Sequence, residues 1–235
     1  MPEKPKFINV RGNLLDISVP KVMGIINVTP DSFYGGSRFM TDKEIVKAAF
    51  DMVIEGADIL DVGGYSSRPG AEDITVEEEK KRVLNAVKII NREMPDAIIS
   101  VDTFRSDVAR EAVFECGAGI INDITGGEAD PKMFSVIESL NVPYIIMHMK
   151  GNPRTMQVNP EYDDVVADIL KWFGEKIYKV KSAGIRDIIV DPGFGLQPGD
   201  QCRQITRRSG RDIAHKCHGD RSFEPGKDLD VLPAF

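Results

Sequence analysis

The sequence predicts an α/β chain, a TIM (β/α)8-type barrel left incomplete at about six βα units, with an N-terminal β-hairpin ahead of it. Three observations carry that prediction. Short apolar runs alternate with longer amphipathic runs from residue 21 to about 190. The short runs are nearly continuous in Ile and Val, as strands buried on both faces must be. Most of them end on an Asn or an Asp. Strands alternating with helices imply βαβ crossovers and a parallel sheet, although periodicity alone leaves a barrel and a doubly wound sheet both open.

Lys6–Ser18 (KFINVRGNLLDIS) holds a turn signal at Arg11-Gly12-Asn13 and reads as the hairpin. Lys21–Asn27 (KVMGIIN) is the first buried strand. Thr41 and Glu44 have the spacing of a capping box, in which each side chain satisfies a free amide of the first helical turn. Ile45, Ala48, Ala49, Met52 and Val53 then form one apolar stripe. The unit recurs with a strand at Ile59–Val62, a cap at Thr75–Glu78, and Val83, Ala86, Val87 and Ile90 on one helix face. Ala97–Val101 leads to a helix near Asp107–Cys116, Gly119–Ile121 to one near Pro131–Leu140, and Pro143–Met147 to one around Asp164–Ala183. Asp187–Val190 is a sixth strand.

A chain of 235 residues with 42% hydrophobic residues can build one large core. The net charge of −7 argues against a general binder of nucleic acid or anionic membrane. Cys116, Cys202 and Cys217 make no disulfide framework. The opening MPEKPKFINVRGN has no apolar signal core, and no long apolar run occurs, so a cytoplasmic location is expected.

The strand ends carry Asn27, Asp61, Asp102, Asn122, Met147 with His148, and Asp191. In a barrel of parallel strands these side chains gather at one mouth. A single Asp after a strand is most often a turn-former or a helix cap. Five Asn or Asp residues at the same structural phase call for another explanation. Carboxylates and carboxamides can read the edge of a flat heterocycle, and aspartates stabilise positive charge developing on it. No G-x-S-x-G, GxGxxG or GxxxxGK[ST] motif is present, and no His and Cys spacing suggests zinc. Two loops, at Asn27–Phe33 and Gly63–Gly70, are rich in Gly, Pro and hydroxyl residues. Ser66, Ser67 and Arg68 suit a phosphate or pyrophosphate, and Asn27 and Thr29 suit Mg²⁺ or phosphate.

At these residues the sequence resembles the dihydropteroate synthases. The matching pieces, in the family's order, are MGIINVTPDSF (Met23–Phe33), DVGGYSSRPGA (Asp61–Ala71), SVDTF (Ser100–Phe104), INDITGG (Ile121–Gly127), MHMKGNPRTMQ (Met147–Gln157) and DPGFG (Asp191–Gly195). Tyr65 and Ser67 stand where many members have Glu and Thr. The resemblance covers about residues 5–195. It implies a TIM barrel and a reaction of folate biosynthesis, in which p-aminobenzoate displaces pyrophosphate from (7,8-dihydropterin-6-yl)methyl diphosphate. It also implies that Asp102, Asn122 and Asp191 hold the pterin edge with Met147 nearby, and that Asp61 lies close to the reacting methylene. Asn27 then engages Mg²⁺ and diphosphate. Ser67, Arg68 and Pro69 shape the p-aminobenzoate pocket, where sulfonamides compete. Asp61, Asp102 and Asp191 are the implied catalytic set. The implied partners are small molecules, with a homodimer as the family's assembly and no nucleic acid or membrane.

The pattern of residues 1–196 stops after Leu196. Residues 197–235 hold five Val, Ile or Leu among 39, and no run resembling a buried strand. This is the composition of a shifted reading frame or a scrambled terminus, and an irregular tail is expected. The serine-arginine-lysine and arginine-x-histidine motifs of the family's last two strands are missing. Six strands are then expected to leave two open sheet edges, and the isolated chain to turn over weakly or not at all. Two further readings share these residues: a remnant that binds pterin without turnover, and a corrinoid-linked pterin methyltransferase. The NVTPDSF and GGxSxRPG loops favour the synthase over the methyltransferase, because methyl transfer needs no diphosphate pocket.

Overall fold

The computed structural model describes residues 6–29, 40–66, 73–151 and 162–193, together with the backbone of 229–232. Strands β1 (Phe7–Val10) and β2 (Asn13–Asp16) form an antiparallel hairpin whose register runs from Phe7 opposite Asp16 to Val10 opposite Asn13. Its two turn residues, Arg11 and Gly12, have φ of 53° and 84°. A tight hairpin turn matched to the strand twist needs two left-handed residues, and Gly12 accepts that conformation without a Cβ penalty. The Asn9 side chain closes the turn by accepting from the Gly12 amide at 2.9 Å.

The six apolar runs become parallel strands that neighbour one another in chain order: β3 (Lys21–Asn27), β4 (Ile59–Gly63), β5 (Ile98–Asp102), β6 (Ile120–Asp123), β7 (Tyr144–Met147) and β8 (Ile188–Asp191). Between them run helices α1 (Asp42–Ile54), α2 (Val76–Glu93), α3 (Ser106–Phe114), α4 (Met133–Leu140) and α5 (Val165–Ser182). The result is a curled, six-stranded half-barrel of the TIM type, as the sequence predicts. The starts of α1, α2 and α5 follow the capping logic. Thr41 and Glu44 form the full capping box of α1, Thr75 accepts from the Glu78 amide at α2, and Asp164 accepts from the Val166 and Ala167 amides at α5. No described helix is long and apolar enough to cross a membrane.

Alternation along each strand divides the core into two layers. Ile26, Leu60, Val62, Ile99, Val101, Ile121, Tyr144 and Ile146 face the helices, where they meet Ile45, Ala49, Val83, Val87 and Ile90. Met23, Ile59, Ile120 and Ile145 face inward and pack with Ile8 and Val10 of the hairpin. Each such fully buried side chain contributes roughly 1.5–3 kcal/mol. The hairpin therefore plugs the end of the barrel where the strands begin. A bond from the Asn9 amide to Asp187 Oδ2, at 2.9 Å, ties it to the start of β8.

Three expectations are corrected. Strands β5, β6 and β8 continue to Asp102, Asp123 and Asp191, so Asp102, Asn122 and Asp191 lie within strands and not after them, and β4 runs one residue past Val62 to Gly63. Helix α3 opens at Ser106, whose amide donates to Asp130 Oδ2 at 2.8 Å. The tail contains a strand, β9 (Leu229–Leu232), running antiparallel to β3 with Lys21 opposite Leu232 and Gly24 opposite Leu229. The β3 edge is thus paired over Lys21–Gly24, because even a four-residue segment can satisfy an open row of amides and carbonyls.

Candidate active site

Register brings the strand-end residues onto one rung. Asn27 pairs with Gly63, Gly63 with Asp102, and Asp102 with Asn122. Met147 and Asp191 form the next pair beyond, across β7 and β8. Strand parity points all of them to the inward side, since Asn27 shares a face with Met23, Asn122 with Ile120, and Met147 with Ile145. Asp61 shares that face two residues below Gly63, so it forms the floor and the others the rim.

Gly63 makes the space. A Cβ there would lie 3.4 Å from Asn27 Oδ1 and 3.5 Å from Asp102 Oδ2. With only a hydrogen between them, the carboxamide and the carboxylate face a shared gap. Below it Asn122 Nδ2 donates to Asp61 Oδ2 at 2.9 Å. That bond passes over β5, where the residue in register with Asp61 is the small Ser100. Asp61 is 4% exposed, so its carboxyl group is held out of water.

Asp102 is a strongly perturbed acid at the rim. Burial raises its pKa well above the usual carboxylate range, and the charges of Asp61, Glu79 and Asp123 push it the same way. A cation or a donor-rich ring in the gap would reverse that effect and be bound in return. Asp191 accepts from the Gly193 amide at 2.8 Å, which fixes its carboxylate at the end of β8. Met147, buried beside it, supplies an apolar wall. The arrangement suits a flat heterocycle with donors along one edge.

Other polar groups support this rim from behind. On the outward face of β6, Asp123 accepts from Tyr144 Oη at 2.6 Å, from Thr125 Oγ1 at 2.7 Å and from the amides of Thr125 and Gly127. Glu79, on α2, is fully buried. It accepts from Thr103 Oγ1 at 2.6 Å and stands 2.9 Å from Arg105 Nη1. Burial is the main cause that raises the pKa of both Asp123 and Glu79. Sequence reasoning missed Glu79 because it sits in the charged run EEEKKR. Its spacing from Val83 and Ile90 nonetheless places it on the apolar stripe of α2. His148, expected at the mouth with Met147, turns away from it and packs edge-on against Trp172 at 5.2 Å between centroids. Ser67, Arg68 and Pro69 lie outside the described residues.

No three His, Cys, Asp or Glu side chains among the described residues are grouped to hold a metal ion. The exposed Asn27 offers one neutral oxygen at the rim. That chemistry fits a Mg²⁺ carried mainly by phosphate oxygens and water, and it does not fit a cage made by the protein.

Residues 23–206 match the family described as pterin binding enzyme. The chain is 45% identical over 188 residues to the dihydropteroate synthase of Escherichia coli, an alignment covering 79% of this chain and 66% of that protein. It therefore spans just under two thirds of that relative's length. Among solved structures it is similar to the dihydropteroate synthase of Xanthomonas albilineans with 4-aminobenzoic acid, at 37% identity and a TM-score of 0.78, covering 87% of this chain and 72% of that one. The Yersinia pestis dihydropteroate synthase with a sulfonamide drug matches at 36% identity and a TM-score of 0.79, covering 86% and 74%.

Proposed function

The chain belongs to the pterin binding enzyme family, and from that premise we propose that it joins p-aminobenzoate to (7,8-dihydropterin-6-yl)methyl diphosphate, releasing pyrophosphate. The observation that supports this most is the shared rung: Asn27, Gly63, Asp102 and Asn122 in register, with Asp61 bonded beneath it. In this reading Asp102, Asn122 and Asp191 take the donor edge of the pterin, with Met147 against its face.

The bond between the pterin methylene and the diphosphate oxygen breaks, and its electron pair leaves with pyrophosphate. The methylene and ring then share a positive charge. Asp61 and Asp102 stabilise that state more than the ground state, because buried carboxylates interact more strongly with a developing cation than with the neutral ring. The arylamine nitrogen forms the new bond and gives up one proton to solvent. Asn27 orients the diphosphate and would hold a Mg²⁺ ion that neutralises the departing phosphate charge. No side-chain nucleophile is needed. Ser67, Arg68 and Pro69 are assigned to the arylamine side, where a sulfonamide would compete.

Pterin binding without turnover is the second reading. One observation favours it: among the described residues the rim carries no cationic side chain to take the diphosphate. Calorimetry with the pterin diphosphate, followed by a pyrophosphate-release assay with p-aminobenzoate on the same sample, separates the two. Binding with release supports the synthase, and binding without release supports the second reading. No binding at all removes both.

A further inference from the structure

Arg105 follows β5 by three residues, yet its contacts run to the connection between β4 and α2. Its Nη2 donates to the Ile74 carbonyl at 2.7 Å and lies 3.5 Å from Asp73 Oδ1. Its guanidinium is 5.5 Å from the ring centroids of both Tyr65 and Phe104, which meet edge-on at 4.9 Å. It therefore touches that connection on both sides of residues 67–72. Glu79 holds the guanidinium from beneath at 2.9 Å and takes the hydroxyl of Thr103, the neighbour of Asp102, at 2.6 Å. Arg82, one turn further along α2, donates to the Gly64 carbonyl at 3.2 Å.

An ion pair serving only to dock α2 on α3 would have no reason to engage carbonyls and rings at the strand ends. Tyr65, Thr103 and Phe104 lie within two residues of the rim positions Gly63 and Asp102, and Asp73 and Ile74 lead into α2 at the far end of the same connection. A buried charge pair is also an expensive way to dock two helices, since apolar side chains of similar volume serve as well or better. A planar guanidinium can bond a carbonyl, pair with a carboxylate and lie against aromatic rings at once, which an ammonium cannot.

We propose that Glu79 and Arg105 are positioning residues, a clasp that fixes both ends of the β4–α2 connection against the Asp102 end of β5 and so sets the arylamine side of the cleft. The arylamine part rests on the reaction proposed above. Neither residue touches the reacting atoms; they act through the backbone they hold.

Arg105→Lys tests the clasp while keeping the charge beside Glu79, and Glu79→Gln is the companion variant that keeps an acceptor for Thr103. Hydrogen exchange is read at the amides of Glu78, Glu79 and Arg105, which bond to Thr75 Oγ1, the Thr75 carbonyl and Thr103 Oγ1. Exchange there should quicken about tenfold in both variants, with α4 and β7 unmoved. In the pyrophosphate assay the KM for p-aminobenzoate should rise about tenfold while the dissociation constant for the pterin diphosphate stays within about twofold. Wild-type exchange in the variants overturns the proposal. So does faster exchange with an unchanged KM, or a pterin affinity that falls in step with KM. If the unsubstituted protein releases no pyrophosphate, the reaction reading fails, and exchange alone upholds or overturns the clasp.

Discussion

Asn122 and Asp61 are joined by a 2.9 Å hydrogen bond that skips a strand, the donor on β6 and the acceptor on β4, with Ser100 of β5 beneath. A bond between second-neighbour strands closes only where the sheet is curled and the residue between is small. Asn122→Ala should cost about 1–3 kcal/mol, because a buried acceptor loses its donor. It should also weaken pterin binding. Urea unfolding and calorimetry on one preparation would check both, and an unchanged midpoint would show that the bond is not formed in solution.

Gly63→Ala separates folding from binding. Gly63 does not have a left-handed φ, and the added methyl would meet Asn27 Oδ1 and Asp102 Oδ2 at 3.4 and 3.5 Å. The strand should tolerate it within about 1 kcal/mol, while the methyl fills the gap where a ligand must sit. Thermal melts near wild type, with pterin affinity reduced about tenfold or more, are the expected pair of results.

The acids around the rim give the protein a characteristic pH dependence. Burial raises the folded-state pKa of Asp102, Glu79 and Asp123 above the unfolded values. The folded state then holds protons that the unfolded state has released. The stability these groups contribute is fully present below the ordinary carboxylate range and is lost as pH rises through their raised folded values. Asp102→Asn should flatten this decline in unfolding free energy, measured by denaturant titration at a series of pH values. An identical slope in wild type and variant would show that Asp102 does not carry it.

Tyr144→Phe probes the support behind the rim. The lost phenol bonds Asp123 Oδ2 at 2.6 Å, and hydrogen bonds to a charged group are worth about 1.5–3 kcal/mol. Thr125 and Gly127 still hold Asp123. Stability should fall by about that amount with pterin affinity within roughly threefold. A collapse of affinity at retained fold would assign Tyr144 a part in holding Asn122.

Much of this was legible in the residues. The capping box at Thr41 and Glu44, the order of six strands and the hairpin turn at Arg11 and Gly12 all follow from local chemistry. Local chemistry says less about depth. Gly63 and Gly64 read locally as a turn that ends β4 at Val62 and leaves Asp61 at the rim, whereas β4 runs to Gly63 and Asp61 lies beneath the rim. Glu79 is obscured by its charged neighbours in EEEKKR, and only its spacing from Val83 and Ile90 places it on the buried face of α2. His148 reads in sequence as a partner of Met147 at the mouth, yet successive residues of an extended chain face opposite ways. Strand β9 is four residues in a tail of unlike composition, and its pairing depends on an edge far away in the chain, which no local pattern records.

The hairpin packed against Ile59, Ile120 and Ile145 has a consequence for how such a molecule can change. Each strand carries its adhesive at one end and its selectivity at the other, two or four residues apart on the same face. Variation can therefore be screened by depth: a library confined to the last rung explores new ligands on an intact foundation, whereas the same diversity at the first rung would chiefly sample unfolded chains. Evolvability here is a property of position along a strand, and the plugged end is what lets the open end vary.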